Sequence, residues 1–506
     1  MGWINRVGRM PIRSKVRLVR SRDLVLGNLF ERLAEIHGDQ PMVEEADGGL
    51  RLTFREAADR VAEWAGGIAE RTEPGDAVVI ATANGYEQLL LVLAASRAGR
   101  LPAPVNSHMS PSEVDHVVSD CRATLRITSA DQVAGSPPMF SAVPAEHTDV
   151  GALFYTSGTT GKPKGAELTH RGLIEGLAAA ALFPSGLRRD ELVMALPVAH
   201  IFGFMMVMGA ACAGVPVYCL SKFNPVKVLD AIEQRGSTLF AGVPAMYRML
   251  MDAGAEERNL STIRVWISGA DAMPVELANR FKDMGATVRI PGLGARGQAT
   301  FAEGYGMVET AGGVAIRLSL PMVPVHLGGS VGVPLPGYKF RVVDADGREV
   351  GRNQVGELLV SGPGILKGYH GAPEATAGAL TEDGWLRTGD LARRGLLGTF
   401  TFEGRLKDVI KRGGYSVYAV EVEQALEEHP DVVEVAVVPL PDERDGEVPG
   451  AAVRLREGVA LADLDLDVWA KEHLSSYKVP ARFIQVEDFP RTGTDKVQRR
   501  EVVELF

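Results

Sequence analysis

Residues 155–165 read YTSGTTGKPKG and hold the densest chemistry in the chain. Gly158, Gly161 and Gly165 give a flexible backbone, Thr156, Ser157, Thr159 and Thr160 supply hydroxyls, and Lys162 and Lys164 supply cations. Amides, hydroxyls and cations on a pliable loop suit a polyphosphate. The spacing is not the Walker pattern: two residues separate Gly158 from Gly161-Lys162, and Pro163 stands where Ser or Thr would hold magnesium. The apolar run GALF at 151–154 reads as a buried strand, which predicts a loop at the kind of strand end where α/β proteins bind nucleotides.

Four more stretches carry chemically competent residues. GYGMVET (304–310) offers Tyr305 as an aromatic face and Glu309 as a hard oxygen donor. GWLRTGD (384–390) ends in Asp390, and GRLKD (404–408) places Arg405 fifteen positions later. The tail PRTGTDK (490–496) ends in Lys496. A second glycine string, 292–297, matches GxGxxG but lacks both an opening helix and an acid about twenty residues on, so it reads as a loop.

In order and spacing these motifs resemble the adenylate-forming superfamily, in its acyl-CoA synthetase or fatty-acid–CoA ligase branch. The resemblance implies that Thr156, Ser157, Gly158, Thr159, Thr160, Gly161, Lys162, Asp271, Tyr305, Gly306, Thr310, Asp390 and Arg405 meet ATP or AMP. It implies that Glu309 binds Mg2+, that Asp390 and Arg405 take the ribose, and that Lys496 bridges carboxylate and α-phosphate, with His200 beside the acyl tunnel. Phe202, Val243, Gly304, Ala311 and Gly312 are implied in the acyl pocket; Lys407 is the implied hinge, and Lys411, Gly413 and Gly414 line the coenzyme A side. Gly306 replaces a bulky tryptophan of acetate-specific relatives, which points to a large apolar acid. Asp271 either reaches the adenine edge or caps the turn before Pro274.

Two departures matter. Val308 stands where the family usually has Thr, removing a hydroxyl contact worth roughly 0.5–1.5 kcal/mol, with Thr310 as a candidate substitute. Ala419 stands where Pro is common. The implied activity is ligation of a carboxylic acid to CoA through an acyl-adenylate, using ATP and Mg2+. Three alternatives remain: an adenylation-impaired enzyme that thioesterifies a ready-made adenylate, an enzyme loading a carrier protein, and a non-catalytic nucleotide- or acyl-binding protein.

The elements that must position these residues are legible in outline. At 506 residues the chain predicts two or more domains. Alternating strand and helix patterns predict an α/β fold with a large N-terminal domain (1–406) of parallel-rich βα sheets plus a small β-barrel-like region after Gly337. A smaller mobile α+β C-terminal domain (407–506) follows. Residues 192–220 carry no Asp, Glu, Lys or Arg, yet prolines and glycines divide them into strand, helix and strand, so they read as buried core.

Net charge of -10 argues against nucleic acid as a partner. Three cysteines without metal-ligand spacing suit a reducing cytoplasm. The first 22 residues hold seven basic side chains and no acid, which predicts an arm against the acidic body and at most peripheral membrane contact. A homodimer is compatible with all of this.

Overall fold

A computed structural model describes residues 23–156, 162–178, 190–290, 294–321, 330–395, 399–491 and 497–506. The basic arm, residues 157–161 of the glycine-threonine loop and Lys496 lie outside the described residues.

Two compact units divide the chain. The first comprises residues 1–326, 334–339 and 361–386, and the second comprises 327–333, 340–360 and 387–506. The expected division at 406/407 falls inside the second unit, because the short strands after Gly337 pack with the C-terminal elements.

In the first unit, the strands Thr300–Met307, Val265–Gly269, Leu239–Gly242, Leu192–Met194, Val217–Cys219 and Pro41–Glu45 run parallel in that order. Antiparallel strands Gly312–Ser319 and Arg51–Thr53 flank them. A second, parallel sheet orders Leu101–Pro104, Ala77–Ile80 and Leu125–Ile127. The apolar 192–220 stretch resolves into strand Leu192–Met194, helix Ile201–Ala213 and strand Val217–Cys219, mostly buried. Among the described residues no helix is long and apolar enough to cross a membrane.

Local signals set the helices that cover these sheets. Helix Phe54–Ala69 opens with a reciprocal cap: the Glu56 N–H donates to Thr53 Oγ1 at 3.3 Å and the Thr53 N–H donates to Glu56 Oε2 at 2.8 Å. Helix Ile201–Ala213 ends at Gly214, whose φ of 67° suits a residue without Cβ.

Under the strands that carry the site, Trp266, Tyr247, Phe240 and Phe281 are wholly buried and meet edge to face, with Trp266 and Phe281 centroids 5.0 Å apart. Such pairs add about 0.5–1.5 kcal/mol each beyond area burial. They give strands Val265–Gly269 and Thr300–Met307 a rigid backing, so residues at their ends keep fixed positions.

The second unit takes in most of the neighbouring strands Val355–Ser361, Leu386–Arg394 and Phe400–Arg405, the last two antiparallel, in the expected short-strand texture. Its C-terminal sheet orders Tyr415–Tyr418, Val409–Arg412, Gly446–Leu455 and Val432–Asp442, with Arg482–Gln485 parallel to Gly446–Leu455. Helices Ala419–Glu427 and Leu466–His473 close over a core that includes Val422, Leu426 and Leu466.

Candidate active site

The glycine-threonine segment begins as strand Val150–Thr156 and returns as strand Lys164–Thr169, paired antiparallel with Thr156 opposite Lys164. The two strands pair as a β-hairpin, and Lys162, just before the second strand, is exposed. Three contacts fix its base. The Tyr155 hydroxyl donates to Asp120 Oδ2 at 2.9 Å, and burial holds that phenol protonated by pushing its pKa far above the usual range. His116 Nε2 lies 2.9 Å from the Pro163 carbonyl oxygen. Gly165 passes under the Tyr155 ring, where an added Cβ would lie 2.9 Å from Cζ, so glycine is required for the crossing.

Glu309 sits in a 3₁₀ turn, Val308–Thr310, between strands Thr300–Met307 and Gly312–Ser319. Thr310 is 1% exposed and its Oγ1 accepts from the Met307 N–H at 3.0 Å while sharing its own proton between the Met307 and Gly312 carbonyls. The hydroxyl thus shapes the turn that presents Glu309, and the expectation that it substitutes for a phosphate contact is corrected. Val308 is also buried, packed into the main core. The Glu309 carboxylate accepts from the Tyr369 hydroxyl at 2.8 Å, and its backbone carbonyl accepts from the Leu366 N–H at 2.8 Å.

The implied acyl pocket separates into surface and backing. His200 caps helix Ile201–Ala213, its Nδ1 accepting from the Phe202 N–H at 3.3 Å. Phe202, Met205 and Met206 are half-buried on that helix, at the spacing of one face. An added Cβ on Gly269 would stand 3.3 Å from the Phe202 ring, and one on Gly312 would stand 2.8 Å from Met205 Cγ. Gly304 is exposed, and a Cβ there would meet nothing within 4 Å. Val243 and Ala311 are buried in the core and back this surface.

Gly306 requires a correction. A Cβ there would lie 2.0 Å from the Gly312 carbonyl oxygen, at an irregularity in the strand pairing. Its missing side chain lets two backbones meet, whereas the open glycine of this strand is Gly304. Asp271 is exposed and its Oδ1 accepts from the Ala272 N–H at 2.8 Å, the turn-capping alternative, beside Ala270 at φ 70°.

In the second unit Asp390 and Arg405 face each other across antiparallel strands, with Nε 3.1 Å from Oδ1. The Asp390 side chain is 3% exposed and that of Arg405 is 42% exposed, so a buried carboxylate is oriented by a guanidinium at the surface. Lys407 is exposed in the turn Leu406–Asp408. Gly413 and Gly414, at φ 52° and 86°, make the hairpin turn between Val409–Arg412 and Tyr415–Tyr418. Lys411 Nζ donates to Ser416 Oγ at 2.8 Å across that hairpin.

Comparisons with known proteins agree with this arrangement. The AMP-binding enzyme model matches residues 30–147 and 135–370, and the AMP-binding enzyme C-terminal domain matches 421–496. The chain belongs to the AMP-binding enzyme family. Within the adenylate-forming superfamily it is an acid–thiol ligase of the acyl-CoA ligase branch.

A feruloyl-CoA synthase from Amycolatopsis sp is 35% identical over 488 residues, covering 91% of this chain and 95% of that protein. An o-succinylbenzoate CoA synthetase from Bacillus subtilis, solved with the acyl-adenylate OSB-AMP, matches with TM-score 0.80 and 26% identity over 94% of this chain and 98% of that one. The same synthetase solved with ATP and a magnesium ion gives TM-score 0.80 at 25% identity, with the same coverage of 94% and 98%. The carrier-protein, adenylation-impaired and non-catalytic readings are not favoured by these relatives.

This AMP-binding enzyme uses ATP, Mg2+ and CoA. The chemistry of Glu309, a carboxylate held by the Tyr369 hydroxyl, is of the kind that suits the ion. Mg2+ is commonly held by one or two carboxylates plus substrate phosphates.

Sequence reasoning missed Tyr369, His116 and Asp120. The string GPGILKGYHG (362–371) has the glycines and aromatic that signal backbone packing beside a site, and it holds the residues that grip Glu309.

Proposed function

We propose that the enzyme activates a large, apolar carboxylic acid, and that its residues divide the two half-reactions between them. Gly304 supports that substrate class: it leaves open space beside the half-buried Phe202, Met205 and Met206 face. Each CH2 buried on such a surface contributes about 0.8 kcal/mol. Among the relatives, a feruloyl-CoA synthase and a Bacillus subtilis long-chain-fatty-acid–CoA ligase support this class, while malonate and oxalate CoA ligases make a dicarboxylate its rival.

In the first half-reaction a carboxylate oxygen attacks the α-phosphorus, the bond from that phosphorus to the bridging oxygen breaks, and pyrophosphate leaves with the electron pair. Residues 156–162 hold the triphosphate, and Glu309 would hold the Mg2+ that accompanies it. Magnesium supplies neutralisation of phosphate charge when bound. Lys496 neutralises charge between carboxylate and α-phosphate. Tyr305 faces adenine, and Asp390 accepts from the ribose hydroxyls with Arg405 beside it.

In the second half-reaction the CoA sulfur, having given up its proton, attacks the acyl carbon and AMP departs with the oxygen. Residues 407–506 act as a mobile domain: a turn of the chain at Lys407 exchanges Lys496 for the Gly413–Gly414 hairpin, whose glycines suit the approach of a thin pantetheine arm.

The enzyme works in a reducing cytoplasm, as the burial of all three thiols suggests; burial pushes Cys212 and Cys219 up to about 12. The deciding experiment measures CoA-thioester formation over hydroxycinnamic, other aromatic, long-chain fatty, short monocarboxylic and short dicarboxylic acids. Highest kcat/KM with an apolar acid is expected; acetate or a short dicarboxylate as best substrate refutes the substrate class.

A further inference from the structure

Residues 365–370 form a strap that joins the two phosphate-side elements of the first unit. Along one side it pairs with the hairpin strand: the Glu167 N–H donates to the Gly368 carbonyl at 2.9 Å, the Lys367 N–H to the Glu167 carbonyl at 2.9 Å, and the His370 N–H to the Gly165 carbonyl at 2.8 Å. His370 Nδ1 also lies 2.9 Å from Glu167 Oε1. Along the other side it holds the turn of Glu309, through the Leu366 N–H to its carbonyl and the Tyr369 hydroxyl to its carboxylate Oε1, each at 2.8 Å.

The strap itself is seated tightly. A Cβ on Gly364 would lie 2.4 Å from the Thr310 carbonyl oxygen, so the chain entering the strap touches the same turn. The Tyr369 N–H donates to Thr376 Oγ1 at 2.9 Å, and Lys164 Nζ stands 5.6 Å from the centre of the Tyr369 ring. The strap thus ties the hairpin that leads to the glycine-threonine loop to the turn of Glu309, which the hairpin strands also meet directly, and its side-chain hydrogen bond to that carboxylate comes from Tyr369.

We propose that Tyr369 is a positioning residue for adenylation: its hydroxyl orients the Glu309 carboxylate through Oε1, so that the carboxylate would hold the ion that accompanies ATP. A free glutamate in a turn samples several rotamers, and each must be lost on binding; a hydrogen bond made beforehand removes that cost. Partners of this outer kind are typically worth about 10- to 100-fold in metal affinity. The inference rests on the reading of Glu309 as the magnesium ligand.

The test compares Tyr369→Phe and Glu309→Gln with the parent enzyme, by paramagnetic titration of Mn2+ into the enzyme–ATP mixture without acid. Tyr369→Phe keeps the ring and its packing and removes only the hydroxyl. Mn2+ affinity is expected to fall roughly tenfold or more in this variant. The Mg2+ concentration giving half-maximal ATP–pyrophosphate exchange should rise in parallel. Thiolation of a synthetic acyl-adenylate, which needs no triphosphate, should stay within about twofold of the parent and serves as the fold control.

Mn2+ affinity unchanged in Tyr369→Phe but weakened in Glu309→Gln overturns the role of Tyr369 alone. Mn2+ affinity unchanged in both overturns the assignment of Glu309 as well. Equal loss of exchange and thiolation in Tyr369→Phe makes the residue merely structural and also overturns the inference.

Discussion

Gly304 and Gly306 lie two residues apart on one strand, and the structure gives them opposite jobs. At Gly306 a Cβ would lie 2.0 Å from the Gly312 carbonyl oxygen, 2.6 Å from its carbon and 2.8 Å from Gly313 Cα, all backbone atoms that cannot rotate away. Gly306→Ala therefore forces the two strands apart, and overpacking of this kind costs about 1–3 kcal/mol. At Gly304 the same methyl meets nothing within 4 Å, and replacing a strand glycine by alanine gains about 0.5–1 kcal/mol.

Acid preference should respond in the reverse order. Gly304→Leu places a side chain on the open surface beside Phe202 and should lower kcat/KM for the bulkiest acids by about tenfold, the effect of losing roughly 1.4 kcal/mol of binding, while sparing short acids. Gly306→Ala should lower the melting temperature and reduce turnover of all acids alike. Urea unfolding of both alanine variants and kcat/KM of Gly304→Leu over a chain-length series give the two readings. A Gly306→Ala protein as stable as the parent, or a Gly304→Leu enzyme that loses all acids equally, refutes the assignment.

Other tests follow from particular contacts. His170 Nδ1 accepts from the Leu26 N–H at 3.2 Å, and burial lowers its pKa to about 4 from the usual 6.5. Below pH 6.5 the unfolded chain binds a proton that the folded one refuses, so this stability is present above 6.5 and is lost as pH falls toward 4. The loss reaches about 2.5 kcal/mol at about pH 4.5; urea unfolding of His170→Gln should lack that part of the slope, and an identical slope refutes it. Val308→Thr buries a hydroxyl in the main core and should cost about 1–3 kcal/mol, with ATP–pyrophosphate exchange within about threefold of the parent; a tenfold faster exchange would show that the side chain reaches phosphate after all. Lys407→Pro should preserve exchange and reduce acyl transfer to CoA by at least tenfold, and equal loss of both refutes the hinge.

What could be read from the sequence was what lies close along the chain. Apolar spacing and the prolines and glycines that interrupt it divided 192–220 correctly, because burial on one face or both is written in residue spacing. Asp390 and Arg405, fifteen positions apart, sit opposite each other on paired antiparallel strands, so the pair was visible as a spacing before it was visible as a contact. Tertiary structure decided the rest. Tyr369 and Glu309 are sixty positions apart and meet only because a strap pairs with the hairpin, a contact no local pattern encodes. Gly304 and Gly306 are the same letter; whether an absent side chain makes room for a ligand or for another backbone depends on the strand that arrives opposite it. Composition and spacing fix which groups the chain possesses, whereas hydrogen-bond pairing between distant segments fixes which of them remain available for chemistry.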